Sequence, residues 1–387
     1  MIAAAHIASL IGWLILSQAV IGTLYWAYAT YVLWRFLATR APAPTRREAV
    51  TLLKPLYGAE PQLEANLASF LDQRHDGPLQ MICGVQRADD PAIEAVRALK
   101  ARYPAARIDL VINPTPHGAN AKIGNLINIM ARAEHDILVL SDSDMAVGPD
   151  YLAQVLTALD TPGTGAVTCL YRGRGDAGFW SRLAAAGPSY QFLVGLVFGT
   201  TKGLAEPCMG STIALHSSTL EAIGGFAAFA DVLADDHAIG AAVRGRGLGI
   251  AIPPILLVHA SAERSLAQVW RQELRWAATI RALAPAGYAG SVIGMPLALA
   301  MLGGLFHPWP GLPVIAAALL VRLWTKRVVD RYAGAATAPW WLLPPRDALS
   351  LAVFVASYFV RVVDWRGTRL RMEGDGHIVS PVENTVS

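Results

Sequence analysis

Asp136-Ile137-Leu138-Val139-Leu140-Ser141-Asp142-Ser143-Asp144 sets four consecutive apolar residues directly before two carboxylates spaced two apart. A short apolar run bounded by polar groups reads as a buried strand, so Asp142 and Asp144 fall at its carboxyl end. The same alternation recurs on both sides. Val50–Lys54, Gln80–Val85 and Ile108–Ile112 are apolar and strand-like, whereas Pro61–Gln73, Pro91–Arg102, Asn120–Arg132 and Pro149–Leu159 carry helical spacing. Strands alternating with helices predict βαβ units around a parallel sheet, an α/β fold. Ligands of such sheets bind beyond the carboxyl ends of the strands. There the chain places Lys54-Pro55-Leu56-Tyr57-Gly58, Arg87-Ala88-Asp89-Asp90-Pro91 and Ser141–Asp144.

Outside this region the charges thin out. The 387 residues are 54% hydrophobic and 16% charged, against roughly 45–50% and about 25% in soluble domains. A net charge of +3 excludes a large nucleic-acid footprint. Cys83, Cys169 and Cys208 form neither a disulfide framework nor a zinc pattern, which fits a reducing cytoplasmic setting. Met1–Trp34 contains no Asp, Glu, Lys or Arg and exceeds the roughly 20 apolar residues that cross a bilayer. It lacks a basic start and a clear cleavage site, so it reads as an uncleaved anchor rather than a signal peptide. Arg35, Arg40, Arg46 and Arg47 follow, placing this end in the cytoplasm by the positive-inside rule.

Ala282–Val321 is uncharged and long enough to cross twice, with His307-Pro308-Trp309-Pro310 as the turn and Arg322, Lys326, Arg327 and Arg331 beyond it. Pro339–Val360 is apolar but interrupted by Pro344-Pro345-Arg346-Asp347 and followed by Arg361, Arg366, Arg369 and Arg371. If it spans, the C-terminus lies outside; if it is re-entrant, inside. Phe179–Phe198, broken by Pro188, reads as too short to span. It is either core or a surface dipping into the bilayer where a lipid enters, and the neighbouring anchors favour the second. The expected organisation is an anchor (1–37), a cytoplasmic domain (38–281) and a C-terminal membrane region with two or three apolar segments and a basic tail (282–387).

Each motif has an ordinary and a chemical reading. Asp142 and Asp144 make a plain turn, or grip a divalent cation bridging two phosphates. Asp235 and Asp236, just before the helix-like Ala238–Arg246, cap that helix, or leave one carboxylate to accept a proton from a hydroxyl. Gln272, Arg275 and Trp276 share one helical face at i, i+3, i+4. They form an interfacial belt or a site in which the Arg fork meets phosphate. Gly118-Ala119-Asn120-Ala121-Lys122 opens a helix that can meet an anion, or is an exposed terminus. His216, His237 and His259 lack metal-ligand spacing and read as ordinary residues.

The order of these motifs is more specific than any one of them. Lys54-Pro55-Leu56, Asp89-Asp90-Pro91-Ala92-Ile93, Asn125-Leu126-Ile127-Asn128, Ser141-Asp142-Ser143, Gly224-Gly225-Phe226 and Gln272-x-x-Arg275-Trp276 resemble the ceramide glucosyltransferases (glycosyltransferase family 21) and their family 2 relatives. Gly118–Asn125 and Ser141-Asp142-Ser143-Asp144-Met145 look most like the hopanoid-biosynthesis-associated branch, understood to place N-acetylglucosamine on bacteriohopanetetrol. The resemblance implies a GT-A (Rossmann-like) fold and inverting transfer from a UDP-sugar to a membrane lipid. Asp90 matches the nucleotide-holding Asp. Asp142 and Asp144 match the donor and metal motif, with Mg2+ or Mn2+ as cofactor. Asp236 matches the general base, and Gln272, Arg275 and Trp276 match the diphosphate and acceptor motif. Lys122 is the donor-binding residue at the helix start. Localisation to a bacterial inner membrane, multi-pass with a cytoplasmic catalytic domain, is implied.

Animal ceramide enzymes have Asp-Ser-Gly in place of Asp142-Ser143-Asp144. They also have a His-Pro pair shortly after Phe-Gly-Thr, where this chain reads Phe198-Gly199-Thr200-Thr201-Lys202-Gly203. Both departures weigh against ceramide as acceptor. Ceramide glucosylation from UDP-glucose is the nearest alternative. A processive polysaccharide synthase and a non-catalytic sugar-nucleotide-binding protein are more distant ones.

Overall fold

A computed structural model describes residues 2–40, 44–360, 362–365, 368–372 and 378–379. In chain order the elements are α1 (Ile2–Ala38), β1 (Val50–Pro55), α2 (Leu63–Leu71), β2 (Leu79–Val85), α3 (Ala92–Arg102), β3 (Arg107–Ile112), α4 (Ala121–Met130) and β4 (Ile137–Leu140). There follow β5 (Met145–Ala146), α5 (Tyr151–Leu159), β6 (Thr164–Thr168), β7 (Leu170–Gly175), α6 (Phe179–Gly187), α7 (Leu193–Thr201), β8 (Ile213–His216), α8 (Ser217–Ala222) and α9 (Asp235–Gly245). The last part holds β9 (Gly249–Ala251), β10 (Leu256–Ser261), α10 (Leu266–Leu283), α11 (Pro285–Gly290), α12 (Pro296–Phe306), α13 (Pro308–Ala333) and α14 (Leu343–Ser357).

The chain forms two compact units, cut differently from the three expected segments. A helical unit comprises Met1–Ala38, Arg172–Ala205 and Glu263–Asp375; a sheet unit is built on Thr39–Tyr171 and Glu206–Ala262. Arg172–Ala205 and the α10 segment, both inside the expected 38–281 block, thus belong to the helical unit.

In the sheet unit the strand order is β3-β2-β1-β4-β8-β6-β9. β1, β2, β3 and β4 pair in parallel, as their βαβ pattern predicts. Beyond Leu140 the expectation of a parallel sheet gives way to a mixed one. β8 lies antiparallel to both β4 and β6. Parallel neighbours need a crossover connection, whereas the chain reaches β8 after Arg172–Ala205, a segment of the other unit. Alternate side chains face opposite cores. Leu52, Met81 and Val139 pack with Leu67, Phe70, Val96 and Leu156. Leu53, Ile82 and Leu138 pack with Ile123, Leu126, Ile239 and Val243. Covered on both faces, these strands read as continuous apolar runs.

In the helical unit α1 buries Leu16, Ala19, Ala29 and Leu33 and exposes Trp13, Leu14, Leu24, Tyr28 and Trp34. Ala19 packs with Leu297 and Ala300 of α12. Trp13 stacks on His307 at 4.5 Å between ring centroids, and His307 forms the break between α12 and α13 expected of the His-Pro-Trp-Pro turn. Among the described residues, two helices are long and apolar enough to cross a membrane, Ala3–Ala38 and Phe179–Thr201; Pro285–Gly294 and Pro296–Phe306 form a pair bent by 66°.

The second of these corrects the reading of Phe179–Phe198 as too short and broken. A π-helical turn, Pro188–Phe192, absorbs the proline between α6 and α7, and the Ser189 hydroxyl donates to the Ala185 carbonyl at 2.9 Å. Pro344-Pro345 likewise opens α14 instead of interrupting it, since proline suits the first helical turn. Arg361 and Arg366 lie outside the described residues, as do the side chains of Arg369 and Arg371.

Buried ions hold this unit together. Arg322 donates two hydrogen bonds to Asp347, at 2.8 and 2.7 Å, and a third to the Tyr190 carbonyl. Gln191 adds another to Asp347 at 3.0 Å.

Candidate active site

The carboxyl edge of β1, β2 and β4 gathers the polar groups the sequence points to. β1 is buried along its whole length, yet it carries Lys54. The Lys54 ammonium donates to Ser141 Oγ at 3.0 Å and to the Asp142 carbonyl at 3.2 Å, and lies 3.2 Å from the centre of the Phe70 ring. Burial pulls its pKa down to about 7, with Asp142 opposing. One side chain thereby fixes the loop after β4.

Asp90, after β2, accepts from the backbone N–H of Gly58 and of Ala92, both at 2.9 Å. These bonds tie the loop after β1 to the start of α3 and leave Asp90 buried.

Lys122 in the first turn of α4 is ion-paired to Asp142 at 2.8 Å and to Asp235 at 3.0 Å. Burial opposes its charge, but Asp142, Asp235 and Asp236 hold it well above the ordinary lysine range. The Asn120 side chain caps the helix, accepting from the N–H of Lys122 and Ile123. The helix start thus serves internal partners, and Lys122 is a bridge between two carboxylates.

Asp235 and Asp236 lie inside the first turn of α9, and neither side chain caps it. Asp235 turns to Lys122, whereas Asp236 accepts from the N–H of Gly210 at 2.9 Å and of His237 at 2.7 Å. Burial, then Asp235, push the Asp236 carboxyl up to about 6, against the pull of Lys122 and the two N–H donors. Gly210 also accepts from the Asp142 N–H at 3.2 Å. A Cβ there would sit 2.7 Å from Asp142 Oδ2 and 3.0 Å from the Lys122 ammonium. Asp142, Lys122, Asp235, Gly210 and Asp236 are therefore one contiguous cluster.

Asp144 belongs to a different contact. β5 pairs with β10 in a register that sets His259 opposite Met145, and the Ala260 N–H donates to the Asp144 carbonyl at 2.8 Å. His259 Nε2 consequently reaches Asp144 Oδ2 at 3.2 Å. Burial raises the Asp144 carboxyl, but His259 and the two lysines bring it below the ordinary carboxylate range. Its Oδ1 is buried with no hydrogen-bond partner, which suits a cation, whereas Asp142 is committed to Lys122. No group of three or more His, Cys, Asp or Glu is placed to hold a metal among the described residues. The sequence read His259 as an ordinary residue, and it placed Lys54 at the sheet edge without giving it a role. The one available signal was a lysine inside an otherwise buried strand.

Gln272, Arg275 and Trp276 lie on α10 in the helical unit, each half-buried. Ser265 caps this helix by accepting from the Gln268 N–H, and the Gln268 side chain accepts from the Arg264 N–H at 2.6 Å. These two bonds fix where the helix starts. The Arg275 guanidinium lies 6.0 Å from the Trp276 ring centre, consistent with a shared face. Glu273, which the sequence did not single out, binds Arg346 of α14 through two hydrogen bonds of 2.8 and 2.6 Å.

An α/β unit with a mixed sheet and an acidic cluster at its carboxyl edge has the architecture of a GT-A glycosyltransferase domain. The glycosyl transferase family 21 profile matches residues 14–378, and the chain belongs to that family. Ceramide glucosyltransferase 1 of Caenorhabditis elegans is 26% identical over 251 residues, 64% of this chain and 52% of the worm protein. Ceramide glucosyltransferase of Komagataella phaffii (strain GS115 / ATCC 20864) is 33% identical over 125 residues, 31% of this chain and 24% of that protein. The match thus spans about half, or less, of the length of these curated relatives. Among solved structures, the mannosyltransferase PcManGT from Pyrobaculum calidifontis, in complex with GDP-Man and Mn2+, aligns with 89% of this chain and 99% of its own. Its TM-score is 0.49 and its identity 21%.

Proposed function

We propose that this chain is a membrane-bound inverting glycosyltransferase that moves a sugar from a UDP-sugar to a lipid hydroxyl. The observation that carries the reading is the cluster at the sheet edge, where Lys122 engages Asp142 and Asp235 while Asp236, pushed up to about 6, is left to exchange a proton near neutral pH. Asp236 takes the proton of the lipid hydroxyl as its oxygen attacks the anomeric carbon from the face opposite UDP. The bond from that carbon to the diphosphate oxygen breaks, UDP departs, and an α-linked donor gives a β-glycoside. General-base assistance of this kind is worth roughly 10²–10⁴ in rate.

Asp90 is the nucleotide residue, Asp142 with Lys122 shapes the donor loop, and Gln272, Arg275 and Trp276 grip the diphosphate and border the acceptor. Asp144, with His259 beside it, is the seat for a divalent cation, Mg2+ or Mn2+. When bound, such an ion offsets the charge of the departing diphosphate.

The finer reading is transfer of N-acetylglucosamine to bacteriohopanetetrol at the cytoplasmic face of a bacterial inner membrane. Gly118–Asn125 and Ser141–Met145 support the acceptor, and α1 with its flanking arginines supports the location. Ceramide with UDP-glucose is a second reading, supported by the names of the curated relatives. Membranes carrying the protein or its Asp236→Asn variant would be given each donor with each lipid, with and without EDTA, and extracted for mass spectrometry. N-acetylhexosamine on the hopanoid, absent in the variant, is the expected result. Hexose on ceramide keeps the mechanism and replaces the acceptor. Long polymer, or donor binding without any glycolipid, overturns the proposal.

A further inference from the structure

The basic half of α13 opens on a cavity that the transfer reaction does not use. α13 stops at Gly334, whose left-handed backbone (φ 67°) ends the helix, and the cavity beside this end measures about 980 Å³. Lys326, Arg327, Asp330, Arg331, Gly334 and Trp340 line it. Asp330 is committed elsewhere. It pairs with Lys326 and accepts from the Tyr190 hydroxyl at 2.6 Å and the Thr337 N–H at 3.3 Å.

Arg327 and Arg331 are both exposed, and neither guanidinium has an ion-pair or hydrogen-bond partner among the described residues. They stand one helical turn apart, a spacing at which like charges repel. A helix C-terminus favours a nearby cation. That accounts for one arginine but not for two that share a cavity with no acid left to balance them. Trp340, 58% exposed, lines the opening, and tryptophan favours the membrane boundary.

We infer that this cavity binds the phosphate headgroup of an anionic membrane glycerophospholipid. The guanidinium forks match phosphate oxygens, and basic pockets at the cytoplasmic ends of membrane helices suit anionic headgroups. Trp340 and Leu323 supply an apolar flank that a free phosphate would leave unused. The inference rests on the helical unit lying in a membrane, as proposed above.

The test uses the full chain in nanodiscs of phosphatidylcholine with a minor fraction of phosphatidylglycerol, followed by native mass spectrometry of the lipid retained in detergent. Wild type retains phosphatidylglycerol in preference to phosphatidylcholine. Arg327→Gln with Arg331→Gln lowers that retention about tenfold or more, with an unchanged melting temperature. Arg35→Gln, which removes an exposed arginine at the end of α1, leaves retention intact. Absence of a lipid preference in wild type, an equal loss in Arg35→Gln, or displacement of the lipid by inorganic phosphate overturns the inference. Release of the protein from membranes by alkaline washing refutes the membrane reading itself.

Discussion

Asp347→Leu tests how the helical unit is held. Arg322 and Asp347 are both 0% exposed, and three of the hydrogen bonds that satisfy them converge on the Asp347 carboxylate. Removing that carboxylate leaves Arg322 buried with the Tyr190 carbonyl as its remaining hydrogen-bond acceptor. An uncompensated buried charge costs about 3–5 kcal/mol. For a unit of this size that corresponds to a melting temperature lower by roughly 6–20 °C. Arg322→Met combined with Asp347→Leu removes both charges and restores stability to wild type or above, because a paired buried ion bridge is roughly neutral against apolar residues of similar volume. Intrinsic-fluorescence melting in one detergent, across wild type, both single variants and the double variant, measures the coupling. A single variant within 1 kcal/mol of wild type, or a double variant as unstable as either single, refutes the reasoning.

The pH profile of transfer follows from Asp236. With its carboxyl pushed up to about 6, kcat/KM falls about tenfold per unit below that pH as the base takes up its proton, and a flat profile down to pH 5 removes Asp236 from the role. Gly210→Ala drives a methyl group against Asp142 Oδ2 and the Lys122 ammonium, at 2.7 and 3.0 Å. Its expected cost is about 1–3 kcal/mol with weaker UDP-sugar binding, read by melting and calorimetry. Lys54, brought down to about 7 by burial, binds its proton less readily folded than unfolded. Wild type therefore loses about 1 kcal/mol between pH 8 and pH 6, a loss that Lys54→Met abolishes in melts at the two pH values. His259→Ala leaves the Asp144 carboxylate without its imidazole, and the Mn2+ concentration for half-maximal binding by isothermal titration rises about tenfold or more.

The sheet edge was legible because β1, β2 and β4 are buried on both faces, so their apolar runs stop where the polar loops begin. Asp90 and Asp142 follow those stops, whereas Asp236 was singled out from the acidic pair at the start of α9. What the sequence hid was contact between distant segments. His259 meets Asp144 only through a two-residue strand, and Lys122 unites Asp142 with Asp235, which stand 93 residues apart in the chain. Pro188 misled for a local reason. A proline signals a break, but a π turn with a serine hydroxyl reaching back can carry a helix past it. Beyond Leu140 the strand directions depend on where the chain goes between β7 and β8, and no periodicity encodes that path.

The exposed aromatics of α1 can serve as a depth gauge. Trp13 and Trp34 lie about 31 Å apart along a helix that rises 1.5 Å per residue. That is about the hydrocarbon thickness of an ordinary bilayer, and tryptophan gathers at its two boundaries. If these rings mark the boundaries, Trp13 and the His307 stacked on it stand at the outer one. The α12–α13 turn is then level with the outer headgroups. On that placement a thinner membrane would have to tilt α1 or expose its tryptophans to water, and the protein would carry its own preference for bilayer thickness.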